Sequence, residues 1–342
     1  LFIALKSDKN GYTFTQLLNK QMENVRTSLG GYRLDAEIKN VPVAFVNALR
    51  RILLAEIPVV VISHVEILDN TTSMTHEMLK HRVEMLPVRV NPEETGVIRD
   101  TKLELRYLAG PETREVSSDD FVITGPKPDI LLHDRELDTP MHFITLKPNE
   151  SLHIKATLGI APNGSSHVCI STYRNHIDQA TVEEDRLKFI SQAGEEESAR
   201  REAARLYDTF HIQRSFHRNK ETGRPDWFDL TVESIGVLEA RDLVNRAATL
   251  LKDKITEWVK SPILREGDGW FRMETDGETY TLGQLVQEVM YMGGLVEFVS
   301  RDIGHPLTPK LVVRFQTKNS QPEAVVEKCR ADAIALCENV LT

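Results

Sequence analysis

Cysteine is scarce in this 342-residue chain: Cys169, Cys329 and Cys337 are its three, and no two of them form a CxxC pair. That excludes a disulfide-stapled scaffold and suits a reducing compartment. No apolar run approaches the ~18 residues of a membrane span, and the longest strongly apolar stretch, Ile57 to Ile62, reads as a strand. The chain begins at Leu1 and shows no signal-peptide pattern. Positive charge is also short. With 42 Lys and Arg against 51 Asp and Glu the net is −9, so binding dominated by nucleic-acid phosphates is not expected. The local exception is a basic stretch from His211 to Arg224. P-loop, nucleophile-elbow and GxGxxG strings are absent.

What is present is a helix written twice. In Asn47-Ala-Leu-Arg-Arg-Ile-Leu-Leu-Ala-Glu-Ile-Pro58, Phe45, Leu49, Ile52 and Leu53 fall at helical spacing, and Pro58 ends the run. Far downstream, Leu282, Leu285, Val286 and Val289 make a second stripe of the same kind. Laying Asn47 over Gln284 matches the two segments, a long-period internal repeat. The two helices are expected to face each other. Eight such side chains, each worth roughly 1.5–3 kcal/mol when fully buried, suffice for a permanent interface.

Around these helices the texture alternates. Tyr32 to Ile38, Val59 to Ile67 and Trp227 to Ser234 read as strands. A short helix through His76, Leu79 and Val83 is expected, with Ser73 as its cap. Short strands then follow between Asp100 and Ala161, a β-rich insert. Glu195 to Tyr207 is charge-dense and reads as an exposed helix or linker. A long amphipathic helix runs to about Lys260, and Ser261-Pro262 with Gly267-Asp-Gly269 marks a linker. A hairpin-like start turning at Asp276-Gly277 precedes the second stripe helix. Two strands, a rigid His305-Pro-Leu-Thr-Pro309 connector and a final helix from Pro322 complete the plan. The order defines an α+β chain rather than a doubly wound parallel sheet.

One constellation invites a metal reading. His76-Glu77 and His81 share a helix, but the histidines stand five apart, about 140° around it, where a zinc helix needs four. A structural role is expected, and a metal hydrolase is the reading set aside.

Several strings together resemble the α-like subunits of multi-subunit DNA-dependent RNA polymerases. Asn47-Ala-Leu-Arg-Arg-Ile-Leu-Leu with Ile57-Pro58, Val65-Glu-Ile67, His81-Arg82 and Leu86-Pro87 are similar to the larger α-like subunit. Val116-Ser-Ser-Asp-Asp120, Leu146-Lys-Pro148 and Val232-Glu-Ser-Ile-Gly236 fit its insert and closing strand. Thr281-Leu-Gly283, His305-Pro-Leu307, Pro309-Lys310 and Arg314-Phe-Gln-Thr317 resemble the smaller partner. The resemblance implies two α-subunit-like dimerisation domains in tandem, forming a pseudo-heterodimer on one chain. The first would occupy residues 1–65 and 225–262, interrupted by a β-rich insert over 66–224; the second would occupy 268–342.

The implied job is non-catalytic: an assembly scaffold that docks the two large catalytic subunits and small adaptor subunits, touching DNA only through the assembled enzyme. Arg50, Arg51, His81, Arg82, His305, Pro306 and Leu307 would serve the large-subunit interface. Phe45, Leu49, Ile52, Leu53, Leu282, Leu285, Val286 and Val289 would form the internal one. No catalytic, cofactor or metal residues are expected: the polymerase Asp-x-Asp-Gly-Asp cluster is missing, and Cys169 alone cannot make the insert's metal cluster found in some relatives. Another departure lies in Gly159 to His167, where the histidine of the family's glycine-rich turn survives but its lysine and aromatic do not. No appended DNA-binding module of the bacterial kind, no membrane contact and no homo-oligomer are expected. Fusion of the two components suggests a large DNA virus, with an intracellular location in host cytoplasm or virion, otherwise the nucleus. The alternative is a freestanding nucleic-acid-binding homodimer using His211 to Arg224.

Overall fold

The fold, a computed structural model, is described for residues 5–6, 22–108, 110–135, 137–161, 168–194, 196–220, 222–267, 269–304, 307, 310–317 and 321–341. The chain opens with β1 (Leu5–Lys6), β2 (Met22–Ser28), β3 (Arg33–Lys39), α1 (Val43–Ala55) and β4 (Val59–Asn70). Then come α2 (His76–Glu84), α3 (Thr95–Asp100), β5 (Lys102–Tyr107), β6 (Arg114–Ser117), β7 (Val122–Thr124), β8 (His142–Leu146) and β9 (Leu152–Ala161). β10 (Cys169–Asn175), α4 (Gln179–Gln192), α5 (Glu197–Leu206), β11 (Trp227–Ser234) and α6 (Ala240–Val259) follow. The last part is β12 (Ile263–Gly267), β13 (Trp270–Asp276), α7 (Tyr280–Met292), β14 (Val296–Ile303), β15 (Lys310–Thr317) and α8 (Pro322–Glu338).

Two sheets have the same plan. One runs β10-β11-β3-β2; the other runs β14-β15-β13-β12, with β1 added beyond β14. All their neighbouring strands are antiparallel. Alternation explains the inward faces: Leu34, Ala36 and Ile38 of β3 and Phe228, Leu230 and Val232 of β11 are buried. The repeat keeps a constant register. β3, α1 and the start of β4 recur as β13, α7 and the start of β14 with every boundary displaced by 237 (270 − 33, 280 − 43, 296 − 59). Asn47 and Gln284 are therefore each the fifth residue of their helix.

Where the second half passes from α7 through β14 directly to β15, the first half makes a departure and a return between α1 and β11. β4 runs outside the β10-β11-β3-β2 sheet, and its antiparallel partner β9 brings the chain back along it. Between them β4-β9-β5-β7, the β6-β8 ribbon and α2 close around a separate apolar core from Val60 to Leu158. The span expected as one insert, 66–224, is thus divided. Within it β10 hydrogen-bonds β11 from Cys169↔Ser234 to Asn175↔Phe228, restoring the dimerisation sheet, and α4 and α5 then form a helical excursion. The side chains of β10 alternate, with Cys169 and Ser171 buried and Ile170 exposed, but the partner strand lies far along the chain.

Three local expectations are corrected. The Ser261–Gly269 linker is instead β12, paired with β13 as β2 is with β3. The hairpin turn consequently lies between β12 and β13, while Asp276-Gly277 leads from β13 into α7. Thr75 rather than Ser73 caps α2, its hydroxyl accepting the Met78 N–H at 3.4 Å.

Candidate functional site: the seam between the halves

α1 packs on α7 and on α6, α6 on α8, and α7 on α8. All eight stripe residues lie in this four-helix layer: Phe45, Leu49, Ile52, Leu53, Leu285, Val286 and Val289 at 0% exposure and Leu282 at 1%. They belong to one apolar core that runs from Met22 to Val340 and takes side chains from both halves. An uninterrupted core of this kind is how a permanent interface looks, a domain interior divided between two units.

Polar contacts cross the seam at its margins. Arg51 Nε donates to Thr281 Oγ1 at 2.7 Å, joining the end of α1 to the first turn of α7. Arg224, from the loop before β11, meets Glu288 of α7 at 2.7 Å, and its guanidinium lies 5.7 Å from the Tyr291 ring centre. Lys254 of α6 stands 2.8 Å from Glu56 of its own half and 3.0 Å from Glu278 of the other. Burial pulls the Lys254 ammonium down, but the two carboxylates outweigh it and hold its pKa above the usual lysine value. At the outer margin Lys252 meets Glu338 at 2.5 Å.

The thiols sit in the same layer. Burial pushes Cys169 and Cys337 up to about 12 and raises Cys329 as well. They behave as small apolar side chains. Burial raises the Asp332 carboxyl of α8, against Lys328 at 3.0 Å.

The residues expected to face large partners are dispersed. Arg50 stays partly exposed, its Nη2 donating to Asn47 Oδ1 at 3.2 Å. Arg51 is exposed as well, with its Nε donating across the seam to Thr281. His81 and Arg82 are exposed on α2, with the Arg82 guanidinium 6.0 Å from the Phe143 ring centre. Leu307 is 85% exposed; His305 and Pro306 lie outside the described residues, as does the 162–167 part of the loop before β10. His76 and His81 are both exposed, and no group placed to hold a metal occurs among the described residues.

The basic stretch is partly committed inward. Arg224 binds Glu288, and His217 lies edge-on to Trp227, whose face His176 covers at 3.8 Å. The residues that polarise the seam, Arg224, Lys254, Glu56, Glu278 and Glu288, escape sequence reasoning. Their one signal is position: Lys254 stands a helical turn from Leu251 on the buried side of α6.

Such a chain is a tandem of two dimerisation units, one sealed against the other. The RNA polymerase Rpb3/Rpb11 dimerisation domain family matches residues 36–255 and again residues 271–342. The chain belongs to that family. It is 24% identical over 288 residues to the "DNA-directed RNA polymerases I and III subunit rpac1" of Dictyostelium discoideum, a match covering 71% of this chain and 84% of that protein. It is 29% identical over 144 residues to the "DNA-directed RNA polymerase subunit Rpo3" of Pyrobaculum aerophilum, covering 39% and 54%. To the mouse "DNA-directed RNA polymerases I and III subunit RPAC1" it is 33% identical over 98 residues, covering 25% and 28%. The chain thus spans most of the first relative, about half of the second and a smaller part of the third. No helix among the described residues is long and apolar enough to cross a membrane.

Proposed function

We propose that this chain is a non-catalytic assembly scaffold of a DNA-directed RNA polymerase, with a larger and a smaller α-like component fused on one polypeptide. The observation that carries the reading is the single apolar core shared by two halves repeated in constant register. The first dimerisation unit is β2, β3, α1, β10, β11 and α6; the insert is the body built on the Val60–Leu158 core; the second unit runs from β12 to α8. Arg50, Arg51, His81, Arg82, His305, Pro306 and Leu307 serve the large catalytic subunits, beside sites for small adaptor subunits. A guanidinium suits that task, since its planar fork binds carboxylates and carbonyls. DNA is met only through the assembled enzyme. A fusion of this kind fits a compact viral transcription machine in host cytoplasm or virion.

Affinity purification of the tagged chain followed by mass spectrometry tests the reading. Large polymerase subunits should co-purify, and Arg50→Ala with Arg82→Ala should weaken their capture while leaving the melting temperature unchanged. A chain recovered alone, with salt-dependent DNA affinity of its own, would mark it as a freestanding nucleic-acid binder.

A further inference from the structure

The two halves are repeats, yet their meeting surface is not self-complementary. In a symmetric dimer each contact between positions i and j is made twice, once in each direction. Here the counterpart of Arg51 against Thr281 is Ala44 against Glu288, because the repeat displacement of 237 maps 281 to 44 and 288 to 51. Ala44 has no polar side-chain atom, and Glu288, 12% exposed, takes Arg224 instead. The counterpart of Glu278 is Val41, which is buried. A second copy of the first half would therefore bring Ala44, Arg51 and Val41 to the places of Thr281, Glu288 and Glu278. Arg51 would lose its hydroxyl acceptor, Arg224 would meet a guanidinium, and Lys254 would keep only Glu56.

We propose that these three contacts key the seam. The first half accepts a helix carrying a hydroxyl at its second position, a carboxylate at its ninth and another carboxylate two residues ahead of its start. It rejects a second copy of itself. The inference rests on the pairing reading above and names what selects the partner. The apolar stripes favour any greasy helix; the polar partners discriminate, chiefly through the carboxylates, since Glu288 and Glu278 are only 12% and 17% exposed and a missing or like-charged partner is costly there.

The test uses the full chain. The triple variant Thr281→Ala, Glu288→Arg, Glu278→Val gives α7 the residues that the first half carries at those places. Opening is read from the molar mass by light scattering and from the labelling rate of Cys329 and Cys337, both buried in α8. The triple variant should be labelled about tenfold faster or more and should associate with rising concentration. Glu288→Arg alone should shift the same way, and adding Arg224→Glu to it should restore protection. The single and its rescue decide the matter if the triple variant does not fold. Wild-type protection in the triple variant, or no rescue by Arg224→Glu, would overturn the key. Leu285→Asp, which cuts the apolar stripe itself, is the control. If it opens the chain and the charge variants do not, the key alone fails; if it too leaves mass and labelling unchanged, the pairing reading fails.

Discussion

Asn40 and Gly277 hold the same place in the two halves, three residues ahead of α1 and of α7, and both are left-handed, with φ of 57° and 75°. Each strand must reverse into its helix there. Glycine does so without a Cβ penalty, and asparagine is among the side chains that tolerate the region best. Gly277→Ala and Asn40→Ala should each cost about 1–2 kcal/mol, whereas Asn40→Gly should be close to neutral. Thermal melts of the three variants check this, and equal losses for Asn40→Gly and Asn40→Ala would count against it.

Gly283 is needed for a different reason. A Cβ at this point of α7 would stand 2.6 Å from Leu311 Cδ1 and 3.3 Å from Arg301 Cδ. Leu311 is fully buried, so it cannot retreat into solvent. Gly283→Ala should therefore destabilise by about 1–3 kcal/mol, the usual cost of overpacking. Denaturant melts should show the loss, and Leu311→Val in the same chain should recover part of it.

Asp332 gives a pH dependence. Burial raises its pKa above the usual aspartate value, more than nearby Lys328 lowers it. A carboxyl raised in the folded state binds protons preferentially there, so stability falls as pH climbs from the unfolded value through the folded one. Asp332→Asn removes that loss. Its melting temperature should exceed that of the native chain near pH 7, and the gain should shrink toward zero below about pH 3.9. A gain that is the same at both ends of the range would show the effect is not ionisation.

The thiols should be silent. With Cys169, Cys329 and Cys337 all buried and raised well above the usual cysteine value, an aromatic disulfide reagent at pH 8 should titrate none of them in native buffer. All three should react in denaturant, since reactivity follows the exposed thiolate. Prompt reaction of Cys337 in the native chain would mean that α8 does not stay on α6.

Much of this was legible because it follows short-range rules. The stripes of α1 and α7 and the alternation of β3 and β11 are written within a dozen residues, and the structure buries the expected side chains. β12 was not legible. As an edge strand it has Leu264 exposed and only Ile263 partly covered, so its composition is that of a linker. α4 hides for a similar reason: Val182 is its one buried residue, too little for a helical period. β10 is readable only once β11 is known to lie beside it. The seam's charged contacts are further still from local rules. Nothing in the spacing of Arg224 and Glu288, 64 residues apart, links them.

The direct run of α6 through Ser261-Pro262 into β12 has a consequence for synthesis. Both dimerisation domains leave the ribosome in equal number, in a set order, and already joined. α7 starts 237 residues after α1 (280 − 43), so at common translation rates the first greasy helix waits roughly 10–50 s for its mate. During that interval the insert can settle around its own core, and the nascent chain is the form that chaperones have to shelter.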